Sequence, residues 1–176
     1  LHMRSHSFPT RRSSDLSCNK EKQLVVLHTS TSHGPTYNKK YPSSFEVFTP
    51  VCTTVEMSKA NRDELMNAYD NTIVYTDYLI HSVIEVLRKV EGRNCCMLYI
   101  SDHGESLGEN NLYMHGVPMM MAPREQIEIP FIVWSSDKTL GVKGIKEVGQ
   151  YHIFHSILRF LDVESPIYDE KMNIFE

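Results

Sequence analysis

CxxC-spaced cysteine pairs, blocks of like charge and long apolar runs are all missing from this sequence, and each absence removes a class of protein. Of the four cysteines, Cys95 and Cys96 are neighbours while Cys18 and Cys52 are far apart, so no CxxC spacing occurs. Structural zinc–thiolate sites present such pairs, so Cys95 and Cys96 are expected as buried free thiols in a strand, and the cysteines fix no compartment. The net charge of −4 comes from mixed residues without long runs of either sign. That leaves no electrostatic footprint for nucleic acid, and any charged substrate must be held locally. Apolar stretches such as Ile129–Trp134 fall far short of the roughly 20 residues that cross a bilayer. No charged start followed by an apolar segment marks a signal peptide, and no internal repeat or low-complexity tract appears.

What is present suits one domain, or one large piece of one, since 176 residues can bury a substantial core. The first sixteen residues stand apart. They cluster Ser and Arg without apolar period, and Phe8-Pro-Thr-Arg-Arg-Ser-Ser-Asp-Leu16 resembles the translated remnant of a sequencing-library adapter. Residues 1–16 are therefore set aside as a non-native segment. Residues 17–176 then begin already inside a domain and are expected to be truncated upstream.

The organisation of the rest is legible. Leu24-Val-Val-Leu27 is a short, Val-rich apolar run, the pattern of a parallel strand covered on both faces. Residues Gly34–Thr54 carry Pro35, Pro42 and Pro50 among Tyr and Phe, and read as an ordered, irregular excursion pinned by its aromatics. Asn61 with Glu64 opens a helix whose apolar face is Leu65, Tyr69, Ile73, Ile80, Val83, Ile84 and Leu87. Arg88 and Lys89 suit its last turn and Gly92 its stop. A second buried strand is expected at Cys95–Ile100, a third at Ile129–Trp134, and a second helix at Tyr151–Leu161. Strand, crossover helix and strand compose the unit of a parallel sheet, so the fold class is α/β with a mostly parallel central sheet.

Chemistry concentrates in Ser101-Asp-His-Gly-Glu-Ser-Leu-Gly-Glu109. Ligands of open parallel sheets gather at the carboxyl ends of strands. Gly104 permits a turn there that swings Asp102 and His103 toward one ion. An isolated Asp-His pair is more often a solvated turn, but His33 follows a different expected strand and His115 lies just downstream. Hard oxygen with imidazole nitrogen suits zinc, with manganese possible. Glu105 is placed to orient a ligand or to meet a substrate ammonium, and Glu109 to face solvent. His28 reads more readily as a hydrogen-bonded core residue closing its strand.

Five segments together carry a resemblance: Thr31-Ser-His-Gly-Pro-Thr-Tyr37, Phe48-Thr-Pro-Val-Cys52, Asn67-Ala-Tyr-Asp-Asn-Thr72, Ser101–Asn110 and Tyr113-Met-His-Gly116. In this order they resemble the catalytic domain of lipid A phosphoethanolamine transferases, including the mobile colistin-resistance enzymes. The resemblance runs from about Leu24 to the C-terminus. It implies an alkaline-phosphatase-like α/β sandwich that binds Zn2+ in the periplasm, joined in the parent to an N-terminal membrane domain of the inner membrane. It implies Asp102 and His103 as zinc ligands, with His33, Glu105 and His115 lining the phosphoethanolamine site or binding an additional zinc.

The resemblance also implies a threonine nucleophile and a further zinc-binding Glu upstream of this chain, so no catalytic nucleophile is assigned here. The implied donor is phosphatidylethanolamine and the implied acceptor a lipid A phosphate, passing through a phosphoethanolamine-threonine intermediate. A zinc-bound hydroxyl of lowered pKa suits such a step, and His33 or His115 suits proton exchange near neutral pH. Two features depart from the family. The cysteine that commonly pairs with the one at Cys52 has no counterpart before Ala60, and Gln150-Tyr-His152 differs from the usual approach to the last helix. A sulfatase or phosphodiesterase of the same superfamily, and a non-catalytic metal-binding or interaction fragment, stand as the alternatives.

Overall fold

The computed structural model describes residues 22–176, so the segment 1–16 and Cys18 lie outside the described residues. The chain divides into two units, Leu1–Ser30 and Thr31–Glu176. In the first, the strand expected around Leu24–Leu27 does not form: residues 23–30 carry no strand, and Leu24, Val26 and Leu27 are exposed. A strand needs a hydrogen-bonded neighbour, and no ladder among the described residues includes this run.

The second unit is organised by α1, Arg62–Leu87. Its start is capped as expected, Asn61 Oδ1 accepting the N–H groups of Asp63 (2.9 Å) and Glu64 (3.3 Å), which satisfies two of the four donors a helix leaves unpaired. Gly92, at φ +71°, turns the chain after the helix where a side chain would be strained. Leu65 and Ala68 are buried, in a cluster with Tyr37, Cys52, Met57 and Leu107, and burying Leu65 contributes about 2 kcal/mol.

Further along, the buried stripe of α1 differs from the apolar one expected. Asn71, Thr72, Tyr75 and Thr76 are buried while Ile73 is exposed. The reason lies in the partner: this side of α1 meets backbone and hydroxyl groups of the Gly34–Thr54 excursion and of Thr31 and Ser32. Asn71 Oδ1 accepts Val47 N–H and Phe48 N–H, and its amide donates to the Phe48 carbonyl. Thr72 and Thr76 meet the hydroxyls of Ser32 and Thr31 at 2.8 and 2.7 Å. The aromatics of the excursion do pin it. The Phe45 ring lies 4.9 Å from both Tyr75 and Tyr78, and Tyr37 stands edge-on to Tyr69.

After α1 come β1 (Cys96–Ile100), β2 (Ser106–Leu107), β3 (Tyr113–Met114), α2 (Arg124–Ile127), β4 (Phe131–Ser135) and α3 (Tyr151–Phe160). The expected strands at Cys95–Ile100 and Ile129–Trp134 form as β1 and β4, but they pair antiparallel, Leu98 opposite Val133. The β2–β3 ladder is antiparallel as well. Both ladders therefore differ from the mostly parallel sheet expected. Among the described residues no paired strand stands upstream of the crossover helix, and the chain leaving β1 returns to pair with it as β4. Cys52, Cys95 and Cys96 are free thiols, and burial pushes the Cys96 thiol up to about 11.

The C-terminal residues Asn173, Ile174 and Phe175 are buried, with the Ile174 N–H donated to Ser156 Oγ of α3. Beside them an exposed tie forms where Lys143 Nζ donates to Glu170 Oε1 at 2.6 Å. This hydrogen bond above all, then those from Tyr168 and Asn173, lowers the Glu170 pKa from 4.5 to about 2. A depressed folded pKa means the tie contributes fully above the unfolded value and is lost as pH falls through the folded one. The window is thus from 4.5 down to about 2. A carbon-detected titration of the Glu170 carboxyl is expected to place its midpoint near the lower end, and an ordinary midpoint would show that the tie does not form in solution.

Candidate metal centre

The turn that follows β1 is fixed by backbone contacts that glycine alone permits. Gly104 N–H donates to the Gln126 carbonyl at 3.1 Å, and a Cβ on Gly104 would collide with the Glu125 carbonyl. Gln126 also donates its side-chain amide to buried Ser106 Oγ. From the other side Gln150 Nε2 reaches the carbonyls of Ser101 (3.1 Å) and Asp102 (2.6 Å). Asp102 and His103 therefore stand on a turn clamped from two directions.

A second device brings Glu105 and His115 together. In the β2–β3 ladder Ser106 faces Met114, so the next residues outward are Glu105 on one strand and His115 on the other. The connection closes because Gly108, Asn110 and Asn111 take positive φ of 115°, 53° and 60°, conformations open to glycine and tolerated by asparagine. Glu109, expected to face solvent, is instead partly buried and accepts the Leu107 N–H within this turn.

Three histidines converge on this frame. One ligating nitrogen from each of His33, His103 and His115 lies within 4.8 Å of the others, and the His103 and His115 rings are 3.8 Å apart between centroids. Glu105 is buried beneath them, its Oε1 3.4 Å from His115 Nδ1 and 4.0 Å from His33 Nδ1. Asp102 is exposed at the rim, with Oδ2 3.7 Å from His103 Nε2. Beside His103 and His115 opens a cavity of about 270 Å³, walled further by Val117, Met119, Gln126 and Ile127.

The tautomers follow from the acceptors. His33 Nδ1 lies 2.8 Å from the Gly34 carbonyl and His103 Nδ1 3.0 Å from the Gly104 carbonyl. A carbonyl oxygen only accepts, so the neutral form of each ring carries its proton on Nδ1 and its lone pair on Nε2. His115 Nδ1 faces the Glu105 carboxylate but is not aligned to bond it, and is a buried polar atom without a hydrogen-bond partner. An imidazole whose Nδ1 is engaged by a carbonyl or carboxylate is the usual arrangement of a metal-binding histidine.

Matching against family models places residues 13–163 within "Sulfatase". The chain belongs to the sulfatase family. Among its relatives, phosphoethanolamine transferase EptA of Helicobacter pylori is 44% identical over 151 residues, covering 83% of this chain and 29% of that protein. The C-terminal periplasmic domain of phosphoethanolamine transferase EptC from Campylobacter jejuni superposes with a TM-score of 0.75 at 42% identity, over 81% of this chain and 48% of that domain. The integral membrane lipooligosaccharide phosphoethanolamine transferase A from Neisseria meningitidis gives 0.77 at 37% identity, over 82% and 29%. This sulfatase-family chain thus spans under a third of the full-length proteins it matches. The likeness to phosphoethanolamine transferase catalytic domains and the alkaline-phosphatase-like α/β fold both hold. No helix among the described residues is long and apolar enough to cross a membrane.

Several residues of the site escaped sequence reasoning. Tyr37, Gln126 and Gln150 all hold the site's turns or its buried acid; Tyr37 carried a signal as the last residue of the Thr31–Tyr37 segment and Gln150 as a departure from the family, while Gln126 carried none. The doubtful approach to α3 is explained: His152 is buried and its Nδ1 meets the Gly149 N–H at 2.9 Å, a local role at the start of its own helix. His28 is exposed.

Proposed function

We propose that the histidine cluster with Asp102 holds zinc for phosphoryl-group chemistry. In this reading the parent protein transfers phosphoethanolamine from phosphatidylethanolamine to a lipid A phosphate. The observation that carries it is the convergence of three imidazoles, two of them with Nε2 left free, over one buried carboxylate. Neutral imidazole nitrogens with carboxylate oxygen match zinc, and a buried imidazole nitrogen without a partner is what a site built for an ion presents. A bound zinc would polarise phosphoryl oxygen and lower the pKa of a hydroxyl at the site.

In this reading Asp102 and His103 are the metal ligands, with Asp102 Oδ2 3.7 Å from His103 Nε2. His33, Glu105 and His115 line the phosphoethanolamine side or hold an additional ion. Glu105 supplies negative charge for an ammonium group, and the cavity beside His115 receives the ester. The periplasmic location and the membrane attachment are carried over from the named relatives, and the lipid donor, the lipid A acceptor and the inner membrane from the resemblance to lipid A phosphoethanolamine transferases. In this reading residues 17–176 belong to such a catalytic domain, residues 1–16 are foreign to it, and no threonine among the described residues is assigned as its nucleophile.

The test is to incubate the chain, and separately the parent, with zinc and fluorescent phosphatidylethanolamine. Diacylglycerol release and phosphoethanolamine-modified lipid A are expected from the parent alone. Cleavage of a sulfate ester without these products would favour a sulfatase, and turnover by the isolated chain with a modified threonine would show that the nucleophile lies within it.

A further inference from the structure

The approach to α3 departs from the family at Gln150-Tyr-His152, and the part that Gln150 plays there is not a capping one. Helix starts favour a short Ser, Thr, Asp or Asn side chain that accepts from the first turn, whereas Gln150 precedes α3 without any such bond. Its amide reaches away from the helix instead. Nε2 donates to two neighbouring carbonyls, that of Ser101 at 3.1 Å and that of Asp102 at 2.6 Å.

In a pleated strand, neighbouring carbonyls point to opposite edges and neighbouring side chains to opposite faces. One nitrogen can meet both carbonyls only where the chain has left that geometry, and the chain does bend at Asp102, two residues past the end of β1. The same bend brings together two side chains that a strand would hold apart. Asp102 Oδ1 accepts the His103 N–H at 3.1 Å, and Oδ2 lies 3.7 Å from His103 Nε2. Further along, Ser101 Oγ donates to the His103 carbonyl and Gly104 N–H to that of Gln126, so the turn is held from within, from α2 and, at its first two carbonyls, from the start of α3. We infer that Gln150 is a positioning residue of the centre: its amide holds the chain bent at Asp102, which lets the adjacent carboxylate and imidazole face one ion. The ion rests on the metal reading proposed above. The bend does not.

Both parts can be read in the whole chain. Gln150→Met keeps the length and neutrality of the side chain and removes the donor. Without metal, the carbonyl carbon resonances of Ser101 and Asp102 are expected to move in this variant. Zinc affinity, from chelator competition, should fall about tenfold, the lower end of the roughly 10–100-fold lost with a group that orients a ligand, because Gln150 is exposed. Gln150→Glu separates geometry from charge: an added carboxylate would by itself tighten the binding of a cation, so a loss here too reports the missing donor. Tyr151→Ser, at the exposed first residue of α3, disturbs the helix start without touching these carbonyls and should change neither reading. Unmoved carbonyl resonances or unaltered affinity in Gln150→Met would overturn the inference, as would tighter binding in Gln150→Glu or an equal loss in Tyr151→Ser. If Gln150→Met does not fold, the wild type decides through scalar coupling across the hydrogen bonds from Gln150 Nε2 to the two carbonyl carbons, whose absence contradicts the inference. A wild type that shows those couplings yet binds no zinc would remove the metal reading and support Gln150 as the residue that sets the bend.

Discussion

His103→Ala is expected to weaken zinc binding by about a hundredfold or more, whereas Glu109→Gln should leave it within about twofold. Losing a partner that merely orients a ligand costs roughly 10–100-fold, so removing a ligand itself should reach or exceed the upper end. His103 is the sharpest choice because it belongs to both halves of the centre. Its ring lies against that of His115, its nitrogen is grouped with those of His33 and His115, and its Nε2 is the atom nearest Asp102. Its Nδ1 is already committed to the Gly104 carbonyl, so the side chain has one nitrogen to offer an ion. Glu109 is the proper control: it sits in the same segment but serves the turn, accepting the Leu107 N–H, and glutamine keeps an acceptor for that bond. Competition titration against a chromophoric zinc chelator measures both variants. Equal affinities would remove His103 from the centre.

Asn71→Ala should cost about 3 kcal/mol of stability, given that each buried polar group stranded without a partner costs about 1–3 kcal/mol. The side chain is fully buried. It accepts from two backbone amides, Val47 at 2.8 Å and Phe48 at 2.9 Å, and donates to the Phe48 carbonyl and the Tyr41 hydroxyl. Truncation strands those backbone groups and releases the excursion from α1 at one point, while the rings of Phe45 and Tyr37 still hold it at others. Urea unfolding followed by circular dichroism gives the number. A loss well under about 1 kcal/mol would mean that water reaches the stranded groups, and that the excursion is held by its aromatics alone.

The difference between what was legible and what was not follows the kind of information each feature needs. α1 was readable because its cap at Asn61 and its periodicity are local. Which face it buries was not fully readable, because the excursion offers that face backbone groups and hydroxyls, and these select Asn71, Thr72 and Thr76 over Ile73. Strand positions in β1 and β4 were readable from apolar runs, but such runs carry no direction, so the antiparallel pairing was invisible. The apolar run at Leu24–Leu27 shows the same limit: composition marks a strand former, while a strand exists only with a partner. The residues of the centre were readable as types in a suggestive order. Their convergence depends on a two-residue ladder and on positive φ at Gly108, Asn110 and Asn111, features too short for any periodic signal. The division between metal-binding and substrate-facing histidines was drawn from resemblance, and the geometry brings all three into one cluster.

The most direct test of the account is a crystal of this chain grown with zinc, with diffraction recorded on both sides of the zinc absorption edge. The account predicts an anomalous peak about 2.0–2.1 Å from His103 Nε2, with an Asp102 oxygen or a nitrogen of His33 or His115 completing the coordination. Zinc bound elsewhere at saturating concentration, for instance at Cys95 and Cys96 with the histidine cluster empty, would contradict it.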